Sequence, residues 1–475
     1  MDLLIGVGGG GQHVALTVAR MVRLGVWTSP PRVLVIDADE ESNLAKRLKT
    51  FGGTAPGVPH PLTEFSFMPP LAKDKAGSLF RSAFLPSADG ASSVTGSLEE
   101  ELYELFYNEA ADKVEIKKGM AAQPSVGAAV FSDLGISHLK SRLEGEFGKV
   151  DRVLITSSFI GGTGAGVTHS LVKFLAGSPY RKGKEIFGSF LLRWLQLPGG
   201  TSSASDQTIT NSESHGIQHF VRETAPRLAR STLIGANGDA KLAMAHPGED
   251  ETASVYPLLA AYGLAKLPYM TADAKGGDNI RTMTAPRGAD MSWILSEEWP
   301  LGKQTIAERW AAAKVLDALL DLYFSNDGGT EFRDLEGDAF KETGILGVGE
   351  RENWGTAIRR WAKSKTMKDV ALAAQVLMQL RARQQQLKVV TLWLHEVFGA
   401  QAESRLSRVG SNELQGHYEQ RQKLSKSQAY RYLDSALAHR RGVLKVEDAR
   451  DPAPYLAQMI EEALMEEMLK GKVIS

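Results

Sequence analysis

Leu3-Leu4-Ile5-Gly6-Val7-Gly8-Gly9-Gly10-Gly11 opens the chain. Val153-Leu154-Ile155-Thr156 and the later run Gly161-Gly162-Thr163-Gly164-Ala165-Gly166 repeat its logic. Each is a short apolar run, then a glycine cluster, then a helical pattern. The first predicts a strand over 3–7, a turn over 8–11 and a helix over 14–24, with apolar side chains at 14, 15, 18, 21 and 22. Glycines at such a turn let backbone N–H groups approach a phosphate, and the helix start adds its positive dipole end. Four consecutive glycines are entropically expensive to order, which favours a ligand over a plain tight turn.

Working outward, Arg32-Val33-Leu34-Val35-Ile36 is a second buried strand ending in Asp37-Ala38-Asp39. The first cluster satisfies G-x-G-x-x-G, and with Asp37 closing the next strand it fits a dinucleotide-binding Rossmann unit. Further strands are expected at 152–156, 186–194 and 231–235, with helices between them. This β-α-β rhythm predicts an α/β fold with a parallel sheet covered on both faces. The second cluster is nearly a P-loop, but Val167 stands where the phosphate-binding Lys belongs, so an ordinary P-loop NTPase fails. Two strand–glycine–helix elements in one sheet suit one nucleotide held from both sides.

Residues 52–98 carry Pro56, Pro59, Pro61, Pro69, Pro70 and Pro86 and read as an insertion. After about 280 the pattern turns helical, at 305–324, 366–383 and 452–469, the last with Asp451 as N-cap and Pro452 at N1. Residues 388–394 fit helix or strand. The expected organisation is a nucleotide-binding domain over 1–250 with the insertion at about 52–98, a core helix over 251–270, and a helix-rich C-terminal domain over 271–475.

Composition narrows the function. The 475 residues exceed one compact core. With 55 Lys plus Arg against 56 Asp plus Glu, the net charge of −1 gives no electrostatic signal for nucleic acid or anionic membrane. The absence of cysteine excludes disulfides, thiolate catalysis and Cys-ligated metal centres. No protein-ligated metal site is expected. The N-terminus has neither a basic n-region nor a long apolar run, so a cytoplasmic location is expected.

Residues 1–280 resemble the GTP-binding domain of the tubulin and FtsZ superfamily. The family's first glycine-rich loop is matched by Gly8, Gly9, Gly10 and Gly11. Its signature G-G-G-T-G-[ST]-G is matched by Ile160-Gly161-Gly162-Thr163-Gly164-Ala165-Gly166, with departures at Ile160 and Ala165. Asp37-Ala38-Asp39-Glu40-Glu41-Ser42-Asn43-Leu44 is similar to the loop after the second strand, and residues 119–127 resemble the loop that senses the γ-phosphate. Asn237-Gly238-Asp239 looks like the loop whose Asn reads guanine.

The resemblance implies a tubulin/FtsZ-like GTPase domain that binds GTP or GDP with Mg2+ and self-associates into filaments or oligomers. The implied nucleotide contacts are Gly8, Gly9, Gly10, Gly11, Gln12 and His13; Asp39; Ala121, Ala122 and Gln123; and Gly161, Gly162, Thr163, Gly164, Ala165 and Gly166. Asp206 and Glu213 correspond to acidic residues near the ribose, Asn237 reads the base, and Tyr256 is placed to stack on it. Hydrolysis would use Asp273 and Asp278 across a subunit interface, although their spacing is five rather than three and Lys275 intrudes. The basic helical stretches of the second half suit an adaptor protein as partner. Two other readings stay open: a Rossmann enzyme using NAD, FAD or ATP, and a structural module that binds nucleotide without turnover.

Overall fold

The computed structural model describes residues 1–39, 41–51, 60–62, 64–69, 79–85, 98–107, 109–118, 120, 123–181, 183–196, 206–236, 243–244, 253–270, 279–285, 293–300, 302, 304–324, 370–399 and 452–469. In chain order the main elements are β1 (Asp2–Val7), α1 (Gly8–Leu24), β2 (Arg32–Ile36), α2 (Asn43–Thr50), β3 (Phe65–Met68), α3 (Leu98–Phe106), α4 (Pro124–Ala129), α5 (Ile136–Gly148), β4 (Arg152–Ser158) and α6 (Gly162–Gly177). Then follow β5 (Glu185–Leu191), α7 (Asp206–His219), β6 (Arg230–Ala236), α8 (Val255–Lys266), β7 (Ile280–Ala285), α9 (Ile306–Phe324), α10 (Val370–Phe398) and α11 (Pro452–Leu469).

The seven strands form one all-parallel sheet in the order β3-β2-β1-β4-β5-β6-β7. The strands are apolar runs because both faces are covered. Leu4, Val33, Val35, Leu154, Phe187 and Ile234 point into one core, which they share with α1 and α8. Leu3, Ile5, Leu34, Ile36, Val153, Ile155 and Leu233 point into the opposite core, with α5 and α6. The alternation follows from the strand period of two. It also places α1 and α6, which follow the neighbouring strands β1 and β4, on opposite faces. A crevice therefore opens between β1 and β4 at their carboxyl ends, the topological switch point of a doubly wound sheet.

Two expectations change, and one open reading is resolved. Both helices begin inside their glycine clusters, at Gly8 and Gly162, rather than after them. Glycine has no Cβ, which permits the close backbone contacts made at these helix starts. The proline-rich stretch 52–98 is not wholly an insertion: Phe65–Met68 pairs in parallel with β2 and extends the sheet. Residues 388–394 are helical, inside α10. The core of the sheet also reaches past residue 271. β7 belongs to the sheet, and α9, α10 and α11 bury their apolar faces in the same core as α1 and α8.

That packing explains two buried cations on α1, a helix enclosed on all sides. Arg20 lies 4.5 Å from the centre of the Trp393 ring on α10. Arg23 donates through Nη2 to Glu461 Oε2 on α11 at 2.9 Å, and Arg383 Nε of α10 donates to the same oxygen at 2.7 Å. Burial alone would raise the Glu461 carboxyl, but Arg23 and Arg383 outweigh it and hold it below the usual carboxylate range. α1 ends where Gly25 takes a left-handed backbone, φ 84°, and its N–H turns back to Val22 O at 3.0 Å. α9 starts with a capping box: Glu308 N donates to Thr305 Oγ1 at 3.1 Å, and Thr305 N to Glu308 Oε2 at 3.0 Å.

Removing one member of a buried ion cluster leaves the others charged and unpaired. Glu461→Ala is expected to lower stability by about 3–5 kcal/mol. Urea titration followed by circular dichroism should show the midpoint falling, while Glu462→Ala on the exposed side of α11 leaves it nearly unchanged.

Candidate functional site

The crevice at the β1–β4 switch point holds a cavity of about 290 Å³. α1 contributes Gly9, Gly10, Gln12 and His13, and the α6 side contributes Ser158, Gly161, Gly162, Thr163 and Gly164. Asp37, Asp39, Ser42 and Leu44 line it from the segment after β2, with Lys118 and Met120 at the entrance to α4.

The glycines divide into two groups by what surrounds them. A Cβ at Gly8, whose φ is 67°, would lie 2.8 Å from Gly164 N; one at Gly10 would lie 2.5 Å from Ser158 Cβ. At Gly164 and Gly166 it would come within 2.6 Å of Ser158 O and 2.2 Å of Pro124 O. These glycines bring the two helix starts and their neighbouring loops into backbone contact. Gly9 and Gly161 have no such reason: a Cβ on either meets nothing within 4 Å. Both line the cavity, where a side chain would occupy space that the lack of one leaves open.

The helix starts aim unpaired N–H groups and two positive dipole ends into this space. No described side chain caps either helix. The arrangement can therefore bind an anion through backbone alone.

Gln12 and Asp37 form the floor. Gln12 Nε2 donates to Asp37 Oδ2 at 2.6 Å, and Ala38 N donates to Asp37 Oδ1 at 2.7 Å. Burial pushes the Asp37 carboxyl up to about 6 from an ordinary value near 3.8, against the lowering effect of these hydrogen bonds. Gln12 is 1% exposed, and its Oε1 has no hydrogen-bond partner among the described residues. The lining thus includes a buried amide oxygen able to accept a hydrogen bond.

Of the residues expected at the site, Gly9, Gly10, Gln12, His13, Asp39, Gly161, Gly162, Thr163 and Gly164 line the cavity. Gly8, Gly11 and Gly166 stand behind it as close-contact positions. Ala165 is buried in the apolar core on the α6 face, so the hydroxyl that the family signature carries at this position has no counterpart in the lining. Gln123 is the residue before α4, with its N–H bonded to Met120 O. His13 sets its ring edge-on to Trp194 at 5.1 Å. Tyr256 is 4% exposed within the core around α1 and α8 and is not a lining residue. Glu213 accepts a hydrogen bond from the Arg193 N–H, and Asp206 is the first residue of α7. Ala121, Ala122, Asn237, Asp273 and Asp278 lie outside the described residues. Ser42, Leu44, Met120 and Ser158 also line the cavity; they fall within or beside the stretches quoted from the sequence but were not named as contacts. Lys118 lies just before the 119–127 stretch and carried no local signal.

No protein-family model matches the chain, and no curated protein matches it. Among the described residues no helix is long and apolar enough to cross a membrane.

Asp37 supplies a pH test. Its raised value means that the folded protein holds this proton between pH 3.8 and about 6 while the unfolded chain has released it. Its contribution to stability is therefore lost as pH rises through that window, by roughly 3 kcal/mol when complete. Urea midpoints measured from pH 4 to pH 7 should fall more steeply in the wild type than in Asp37→Asn. Equal slopes would refute the assignment.

Proposed function

We propose that the β1–β4 crevice binds a nucleoside triphosphate, GTP in the leading reading, with its phosphates on the starts of α1 and α6. On this reading the protein is a tubulin/FtsZ-like nucleotide-binding protein that self-associates. The observation that carries it is the convergence of two glycine-built helix starts, from opposite faces of the sheet, on one cavity left open at Gly9 and Gly161. A polyphosphate satisfies both dipoles and the uncapped N–H groups at once. At 290 Å³ the cavity lies near the lower end of the roughly 300–1,000 Å³ of small-molecule sites, so part of the nucleotide would extend beyond it.

Magnesium fits this arrangement as a companion of the phosphates. Among the described residues no group of three His, Asp or Glu could hold a metal by itself. Mg2+ commonly takes one or two carboxylates plus phosphate oxygens and water, and Asp39 stands in the lining. The ion would supply charge neutralisation at the phosphates. Hydrolysis is a further part of the proposal. Water would attack the γ-phosphorus, the bond to the β–γ bridging oxygen would break, and Asp273 or Asp278 would accept the proton. Self-association would bring that acidic segment to a neighbouring copy's nucleotide.

One observation favours a dinucleotide enzyme instead. The first six strands follow the order of dinucleotide-binding sheets, and Asp37 follows β2 directly, where a ribose-binding acid belongs. Against it, Asp37 is buried and already bonded to Gln12 and Ala38, and the start of α6 would go unused.

Titration with GTP, ATP and NAD decides between them. GTP is expected to bind best. Gly9→Val and Gly161→Val should keep the wild-type circular dichroism and melting temperature, since neither side chain meets protein at Cβ. Each should weaken GTP binding by roughly 100-fold, as overpacking by about 3 kcal/mol would do. GTP should also raise light scattering and release phosphate, the latter depending on Asp273 and Asp278. Preference for NAD, or full GTP affinity in both glycine variants, would overturn the proposal.

A further inference from the structure

The densest exposed apolar surface among the described residues lies far from any glycine cluster in the sequence, on α3. Leu98, Leu102, Leu105 and Phe106 are 68%, 43%, 73% and 67% exposed. At 3.6 residues per turn they fall within an arc of about 100° on one side of the helix. Single exposed apolar residues need no explanation, but four on one nine-residue helix form a contiguous patch.

The helix is firmly held from its other side. Tyr103 and Tyr107 pack on Phe80, with ring centres 5.8 and 4.9 Å away, and on Phe84 at 5.7 and 5.5 Å. Tyr103 donates its hydroxyl proton to Asp112 at 2.7 Å, and Arg81 bridges Glu100 and Asp112. The outward stripe is thus presented by an anchored element. Residues 86–97, just before it in sequence, contain no Leu, Ile, Met or aromatic residue that could supply a matching apolar cover.

Charge selects the occupant. Residues 98–112 contain Glu99, Glu100, Glu101, Glu104, Glu109 and Asp112 and no Lys or Arg. Glu101 and Glu104 are exposed, and Glu101 borders the stripe on the flank away from Tyr103. Membrane-surface helices carry Lys and Arg beside their apolar face, and anionic lipid would repel this one. A second copy of α3 would set acidic edges against each other. We propose that α3 is the docking site for a basic amphipathic helix of a partner protein, with apolar anchors at helical spacing flanked by Lys or Arg. This surface is independent of the nucleotide reading.

The test uses the full chain and a labelled synthetic peptide of Leu and Lys, with Leu at i, i+3, i+4 and i+7, read by fluorescence anisotropy. A scrambled peptide of equal composition is the control. The amphipathic peptide should bind at least about tenfold more tightly than the scrambled one, the scale of well-packed anchors. Leu105→Gln with Phe106→Gln should remove that advantage, and both sites are exposed enough for the fold to persist. Should this variant unfold by circular dichroism, Glu101→Lys with Glu104→Lys carries the test, losing the Leu/Lys peptide and gaining a Leu/Glu one. Equal binding of the scrambled peptide, or no effect of either double variant, would overturn the proposal. So would two other outcomes: binding to phosphatidylglycerol vesicles that depends on Leu105 and Phe106, or a lower oligomeric mass in the Leu105, Phe106 variant without peptide.

Discussion

Backbone-to-backbone contact at the crevice between β1 and β4 is the constraint on which the rest depends. Gly8 faces Gly164, Gly10 faces Ser158, and Gly166 faces the segment opening α4, each at distances that admit no Cβ. Only because these positions lack side chains can helices from opposite faces of the sheet start side by side. Their dipoles then point into one space, and Gln12 and Asp37 close its floor. A single methyl group at Gly10 would push α1 away from the end of β4, and one at Gly166 would push α6 away from the start of α4. Binding chemistry and folding geometry therefore share the same residues, whereas Gly9 and Gly161 serve the cavity alone.

A second constraint lies at the other end of α1. The helix is apolar enough to be enclosed, yet carries Arg20 and Arg23 into that enclosure. Each needs compensation, which comes from Trp393 and Glu461 on helices much later in the chain. Such a cluster is weak evidence for net stability, because desolvation offsets much of the attraction. It does specify which helices pack on α1 and in what register, since any slip would strand a buried charge. One helix thus links the cavity at its N-terminus to the packing of the C-terminal helices at its other end.

Much of this architecture is written locally. The strands are legible because doubly covered parallel strands are apolar throughout, as in Leu3-Leu4-Ile5 and Val33-Leu34-Val35-Ile36. Helix ends at Gly25 and Pro452 follow from backbone chemistry that sequence shows directly. β3 was hidden because Phe65-Ser66-Phe67-Met68 sits among prolines, and its strand character comes from pairing with β2 rather than from its own propensity. α10 overran its expected end because residues 388–394, with Val389, Val390 and Leu392, suit either period. Packing against α9 and α11 decided the matter.

The amino-acid order alone determined that two strand–glycine–helix units exist, that no cysteine chemistry is available, and that the net charge is close to zero. These are properties of residue type and spacing, which neighbours in the chain suffice to set. Tertiary structure alone decided that β1 and β4 are adjacent, that α1 and α6 lie on opposite faces, and that Asp37 is buried beside Gln12. It also brought Arg23 to Glu461 and left one side of α3 bare. The physical reason is that strand order, burial and charge pairing arise between segments distant in sequence, where periodicity and local propensity carry no information.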